Sequence, residues 1–184
     1  MAIKRLAITG YGQIELNNVA FRRDGRIEAQ CALDATDFET AVAENGMLLA
    51  VNNVARTVCF PKEDGIYPIA LNYTTEHMYD ERANALKDFA LKRGEFLPRL
   101  GYLAEGDKFT TNCIAYDDEE FADDETLKEA MKKETLATTP LYGTTCENGA
   151  IKITKTAPTG VKLLVVAGTT MPDSQFGVKF QALK

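Results

Sequence analysis

Apolar and polar residues alternate at every second position over much of this chain, which is the pattern of half-buried β-strands. The stretch over residues 98–117 shows it best. Leu100, Tyr102 and Leu103 precede Ala104, Glu105, Gly106 and Asp107; Phe109, Thr111, Cys113 and Ala115 follow on one face. The spacing predicts a β-hairpin, with Gly106 supplying the positive φ of its turn because glycine has no Cβ to clash. A second hairpin is predicted where Val19 and Phe21 would face Ile27, Ala29, Cys31 and Leu33 across Arg23-Asp24-Gly25, since Asp-Gly between alternating runs favours a tight turn. Strands are also predicted over 3–9, 47–51, 55–60 and 67–71. Residues 38–44 read as a short helix capped by Thr36 or Asp37 and ended by Asn45-Gly46.

The period changes twice. Met78, Tyr79, Ala83, Leu86, Phe89, Ala90 and Leu91 recur at intervals of three and four, predicting an amphipathic helix over about 76–93 that Gly94 would stop. Residues 117–125 are strongly acidic. Leu127, Ala130 and Met131 then form an apolar stripe, with Lys128, Lys132 and Lys133 late. Acid early and base late suits the helix dipole, so a second helix is predicted over about 124–134. After a Thr-rich stretch at 135–140, residues 141–145 should pair with 150–156 across Cys146-Glu147-Asn148-Gly149. Residues 161–167, apolar on both faces, read as a central strand, and 176–182 as the last strand. The fold class expected is α+β, mainly β: antiparallel hairpins forming a sandwich or barrel-like body with two helices. The expected organisation is a main β-rich domain over 1–134 and a C-terminal β-hairpin region over 141–184, which can belong to the same single domain.

Composition narrows the function. The chain has 184 residues, is 45% hydrophobic and carries a formal net charge of −6. With no apolar run of about 18 residues, no membrane span is expected. The first residues lack the apolar stretch of a signal peptide. An acidic chain whose longest basic groups are Arg22-Arg23 and Lys132-Lys133 is a poor binder of nucleic acid, because phosphate neutralisation dominates that affinity. The four cysteines are Cys31, Cys59, Cys113 and Cys146; with no close pairs they do not read as a zinc site. Cys31, Cys59 and Cys113 read as buried thiols and Cys146 as a turn residue open to solvent.

Candidate chemistry is sparse. His77 is the sole histidine, so a nucleophile–histidine system would have to use it; a surface or helix-cap histidine is the simpler reading. The acidic run lacks the ligand order of a calcium loop and reads as a solvated helix start. Gly10-Tyr11-Gly12 has neither phosphate-loop spacing and reads as a bend. Asp107 is explained by turn duty. The Met78, Tyr79, Leu86 and Phe89 stripe reads as core. No catalytic, cofactor-binding or metal-binding residue is assigned, no cofactor is expected, and the chain is read as not an enzyme. Tyr11, Tyr142 and Phe176 are candidates for an exposed contact surface.

The block over residues 70–118, ALNYTTEHMYDERANALKDFALKRGEFLPRLGYLAEGDKFTTNCIAYDD, resembles small structural proteins encoded among the head genes of bacteriophages. The ending TTMPDSQFGVKFQALK over 169–184 has the same resemblance. It implies a virion component assembled in the host cytoplasm: a capsid decoration or cement protein, a trimer or dimer, that binds the major capsid protein and reinforces the head. Terminal-strand addition to a sheet edge is one expected mode of contact. A neck, tail or other minor virion component is the alternative within that class. A small-ligand-binding β-barrel or an enzyme is the alternative outside it.

Overall fold

The computed structural model describes residues 2–62, 65–74 and 85–184. These residues are mainly β, as the alternation predicts, and among them are two sheets and two short α-helices. In chain order the strands are β1 (Ile3–Arg5), β2 (Ile14–Asn18), β3 (Ile27–Glu28), β4 (Ala32–Leu33), β5 (Leu48–Asn52), β6 (Thr57–Cys59), β7 (Ile69–Asn72), β8 (Leu100–Gly101), β9 (Lys108–Thr111), β10 (Ile114–Asp117), β11 (Tyr142–Thr144), β12 (Ile151–Thr154), β13 (Leu163–Thr170) and β14 (Phe176–Ala182). Helices α1 (Asp124–Ala130) and α2 (Lys133–Leu136) separate β10 from β11.

The larger sheet runs β1-β10-β12-β11-β13-β14-β9-β2. Only Asn112 and Cys113 separate β9 from β10, yet four strands lie between them in the sheet. So short a link forces the sheet to roll until its two sides meet, giving a barrel-like body. Strands β1 and β2 run antiparallel alongside β10 and β9. The interior holds Phe109, Ile114, Tyr116, Ile151, Ile153, Val178 and Phe180. Phe109 and Phe180 pack with ring centroids 5.5 Å apart. The smaller sheet, β3-β8-β7-β5-β6-β4, serves both cores: Leu48 and Leu71 join the cluster that holds Phe109 and Phe180, while its other residues form a second core. That second core joins Leu49, Val51, Val58 and Leu100 to Cys113, Ala115 and Ala150 of the barrel wall. Both sheets are mostly antiparallel, with parallel pairs at β10–β12 and β4–β6.

The 141–182 region matches expectation closely. Tyr142 pairs with Thr154 and β13 lies between β11 and β14; ahead of that region α1 is capped by Asp123, whose side chain accepts from the Thr126 N–H. The eight-stranded sheet takes strands from both sides of residues 135–140.

Four local expectations are corrected. The predicted 98–117 hairpin does not form. The turn is there, with Gly106 at φ +89, but β8 joins the small sheet and β9 the barrel. The second predicted hairpin fails in the same way. The Asp24-Gly25 turn closes, with the Arg26 N–H donating to the Phe21 carbonyl, while β2 and β3 part to different sheets. Alternation reports which positions are buried and is silent on which core buries them. No helix forms over 38–44: a turn at 35–38, where the Asp34 carboxylate and not Thr36 or Asp37 accepts from the backbone, gives way to a bend and irregular chain. Ala43 then exchanges both backbone hydrogen bonds with Leu91, and that requires extended chain at both residues. The same bridge corrects the 76–93 helix: residues 75–84 lie outside the described residues, and the described remainder makes one 3₁₀ turn at Leu86–Asp88 before extending.

The barrel interior is tight at Gly143 of β11, where an added Cβ would lie 2.7 Å from Ile151 Cγ2 and 2.8 Å from Phe180 Cε1. Gly143→Ala should therefore destabilise the protein by about 1–3 kcal/mol through overpacking, read as a lower urea midpoint. An unchanged midpoint would contradict this packing.

Candidate interaction surfaces

Two parts of the surface combine exposed apolar atoms with polar groups. The first is the open side of the barrel, away from the small sheet. Directly opposed residues on neighbouring strands point to the same side of a sheet. Tyr142, Leu164, Gln181 and Lys108 therefore form one outward row across β11, β13, β14 and β9. The register shifts between Val165 and Ala167, and this bulge leaves Val166 unpaired and 40% exposed. A bulge re-aims a side chain that regular pairing would place otherwise. Lys162, just before β13, and Lys179 on β14 stand nearby, half-buried like Tyr142 and Leu164.

The second is a half-open cleft of about 610 Å³ where the barrel meets the small sheet. Ile3 of β1 and Lys152 of β12 form one wall, and Phe60, Pro61 and Lys62 form the other. The β11–β12 turn contributes Thr145, Cys146 and Glu147. Asp37 closes one end, its Oδ2 accepting from the Phe60 N–H at 2.8 Å. Cys146 is buried, not exposed as expected. The Gly149 carbonyl accepts from the Leu48 N–H at 2.8 Å, and this ties the turn down onto the small sheet.

A part-buried polar seam joins β1 to the chain just before β5. Arg5 makes a bidentate pair with Glu44, one contact being Nη1 to Oε1 at 2.6 Å. Glu44 Oε2 also accepts from the Gly12 N–H at 2.5 Å. Burial pushes the Arg5 guanidinium down, and the Glu44 carboxylate beside it more than offsets this, so its pKa is raised. Arg5 Nη2 also lies 3.5 Å from Cys113 Sγ. Burial pushes that thiol up to about 12, though Arg5 opposes it. Glu44 and Arg5 stand far apart in the chain, so no local spacing announces the pair.

The residues singled out in the sequence are dispersed. Asp107 does serve its turn, accepting from the Ala104 N–H, but it also holds the Ala20 N–H at 2.8 Å. Gly10 and Gly12 lie in a bend, where the Tyr11 N–H donates to the Lys87 carbonyl. The acidic run is less solvated than expected. Asp118 and Asp124 accept from the Ala2 and Ala7 N–H groups, and Glu120 holds Thr154 and Lys155. These carboxylates fasten the N-terminal strand and the end of β12 to the α1 region. Tyr11, Tyr142 and Phe176 are all half-buried, and only Tyr142 falls on the open barrel row. His77 lies outside the described residues. Among the described residues, no three His, Cys, Asp or Glu side chains converge as metal ligands would, and no helix is long and apolar enough to cross a membrane. Comparison of the chain with family models, curated proteins and solved structures returns no match.

Two alkaline groups give a pH test. Cys113 rises to about 12 chiefly through burial, and Tyr116 rises to about 12 through burial and its hydrogen bond to Asp124. Both folded pKa values exceed the unfolded ones, of roughly 8.5 and 10. Their stabilising contribution is therefore complete below those unfolded values and is lost as pH climbs toward 12. The urea midpoint should fall over that window, and Cys113→Ser with Tyr116→Phe should flatten the fall. A separate substitution, Glu44→Gln, should cost about 1–3 kcal/mol by leaving Arg5 without its carboxylate, read in the same assay at pH 7.

Proposed function

We propose that this chain is a structural protein of a bacteriophage particle: a capsid decoration or cement protein that binds the major capsid protein lattice and stabilises the head. The observation that carries this reading is the open barrel face. It presents Tyr142, Leu164 and the bulged Val166 together, with Lys108, Lys162, Lys179 and Gln181 around them. An aromatic and aliphatic centre with a polar rim is the anatomy of a protein–protein interface. The sequence resemblance over 70–118 and 169–184 points to the same class. A capsid repeats one subunit many times, so a modest patch on each copy adds up over the lattice. The net charge of −6 disfavours adhesion to packaged DNA and suits an outer position. The C-terminal strand β14 is paired on both sides, by β13 and β9, so it has no free edge to offer; contact through this face is packing of side chains.

Purified protein mixed with empty shells of its phage, imaged by electron cryomicroscopy, should give regular density at fixed lattice positions. Tyr142→Ala and Val166→Asp should each weaken shell binding about tenfold or more, the size of a central contact of about 1.4 kcal/mol. Density confined to the portal vertex or tail would move the protein to the neck or tail class. A chain absent from particles altogether would overturn the virion reading.

A further inference from the structure

The chain carries Asn-Gly twice, at Asn45-Gly46 and at Asn148-Gly149. An asparagine before glycine can lose its own side-chain amide. The glycine nitrogen attacks the asparagine Cγ, and the missing Cβ on the glycine leaves that approach unshielded. The reaction needs a glycine N–H that can be freed, a donor for the negative charge that gathers on Oδ1, and water to complete it. The fold gives the two pairs opposite surroundings.

Asn148 is exposed in the β11–β12 turn. Its Oδ1 accepts from the Ala150 N–H at 3.0 Å. That donor already sits where the oxyanion of the tetrahedral intermediate forms, which is the placement that lowers such a barrier. The Gly149 N–H is held by the Cys146 carbonyl at 2.9 Å. This bond spans only Glu147 and Asn148, both exposed, so it opens by local fraying of a turn. Asn45 is 4% exposed, and its Oδ1 is buried with no hydrogen-bond partner among the described residues. Charge gathering on that oxygen would be uncompensated in an apolar interior. The Gly46 N–H is held by the carbonyl of Asn72, itself fully buried in β7. Freeing it means opening the core.

We propose that Asn148-Gly149 is a self-modification site, at which the folded protein converts asparagine to aspartate and isoaspartate while Asn45-Gly46 is preserved. The Gly149 nitrogen gives its proton to a solvent base and forms a bond to Asn148 Cγ. The Cγ–Nδ2 bond breaks, and the departing nitrogen takes a proton from water and leaves as ammonia. A five-membered succinimide remains. Water then adds to one of its two carbonyls: breaking the bond from nitrogen to Cγ gives aspartate, and breaking the bond from nitrogen to the Asn148 main-chain carbon gives isoaspartate. Nothing is oxidised or reduced. Isoaspartate routes the main chain through Cβ and Cγ, which lengthens the turn by one atom and removes the cap on Ala150. Gly149 has no slack to absorb it: its carbonyl accepts from the Leu48 N–H at 2.8 Å, and a Cβ there would lie 3.2 Å from Met47 Sδ and from Phe60. The longer turn therefore displaces Cys146 and Glu147, which line the cleft. The cleft changes with the age of the molecule. This inference is independent of the capsid-binding reading.

The test incubates the purified protein at mildly alkaline pH, folded and in urea, and maps both sites by peptide mass spectrometry with an isoaspartate-specific methyltransferase. Folded Asn148→Gln, which would have to close a slower six-membered ring, is the control, with thermal melting to check its fold. In the folded wild type, Asn148 should convert about tenfold or more faster than Asn45, as expected when one carbonyl has an oxyanion donor and the other has none. In urea both should convert at similar rates, which shows that the fold protects Asn45. Asn148→Gln should show no conversion at 148; if that variant does not fold, the comparison of the two wild-type sites stands without it. The isoaspartate form, separated by its added charge, should have a lower urea midpoint. Equal rates at the two sites of the folded protein, or an Asn148 as inert as Asn45, would overturn the proposal. An unchanged midpoint would overturn its effect on the cleft.

Discussion

The architecture depends on one ten-residue stretch, 108–117, being buried on both faces. From β9 it sends Phe109 into the barrel, and from β10 Ile114 and Tyr116; Cys113 and Ala115 point into the core shared with the small sheet. A strand that serves two cores cannot slide by one residue without exchanging the occupants of both. The bend at Asn112-Cys113 carries the chain from one side of the rolled sheet to the other. Neighbouring elements fall into place from it: β1 and β2 line its outer side, β12 and β14 its two flanks, and the small sheet its back.

Where two cores meet along a shared strand, some backbone groups lose their sheet partners and must find others. The polar seam answers that need. Asn112 Oδ1 accepts from the Gln13 N–H, Thr111 Oγ1 donates to the Gln13 carbonyl, and Asn72 Nδ2 donates to the Glu44 carbonyl. The Arg5–Glu44 pair sits within this layer. With Glu44 buried and the Arg5 side chain 34% exposed, the pair is weak evidence for net stability. Here its geometric effect is clear: it ties the end of β1 to Glu44, just ahead of β5.

The sequence was legible wherever burial followed from neighbours close in the chain. The 142–154 hairpin, the central β13, the closing β14 and the first turns of the 124–134 helix all rest on contacts between adjacent elements. It was illegible where two alternating runs, separated by a good turn, enter different sheets. Gly25 and Gly106 adopt the positive φ their turns need, yet neither turn closes a hairpin, because turn chemistry sets a local reversal and not the partner beyond it. The apolar spacing of Leu86, Phe89 and Leu91 suits a helix, but Leu91 is drawn into a bridge with Ala43, which lies far earlier in the chain. The contact surfaces were fainter still. Tyr142 was a candidate by type alone; its company with Leu164 and Val166 comes from strand order and a bulge, neither of which leaves a local signature. Nothing in Ile3, Phe60 and Lys152, taken singly, marks a cleft.

The position of β14 bears on how the molecule comes to be made. It lies between β13 and β9, while β9 was synthesised long before it and β2 waits alongside. During synthesis the barrel therefore stays open, with the β9 ladder unsatisfied on one side, until residues up to 182 are available to fill the gap. Long-range pairing of this kind is slow and leaves strand edges exposed to neighbouring nascent chains. Closure is thus a late, all-at-once event, and a chaperone has the whole interval between β9 and β14 in which to find the chain.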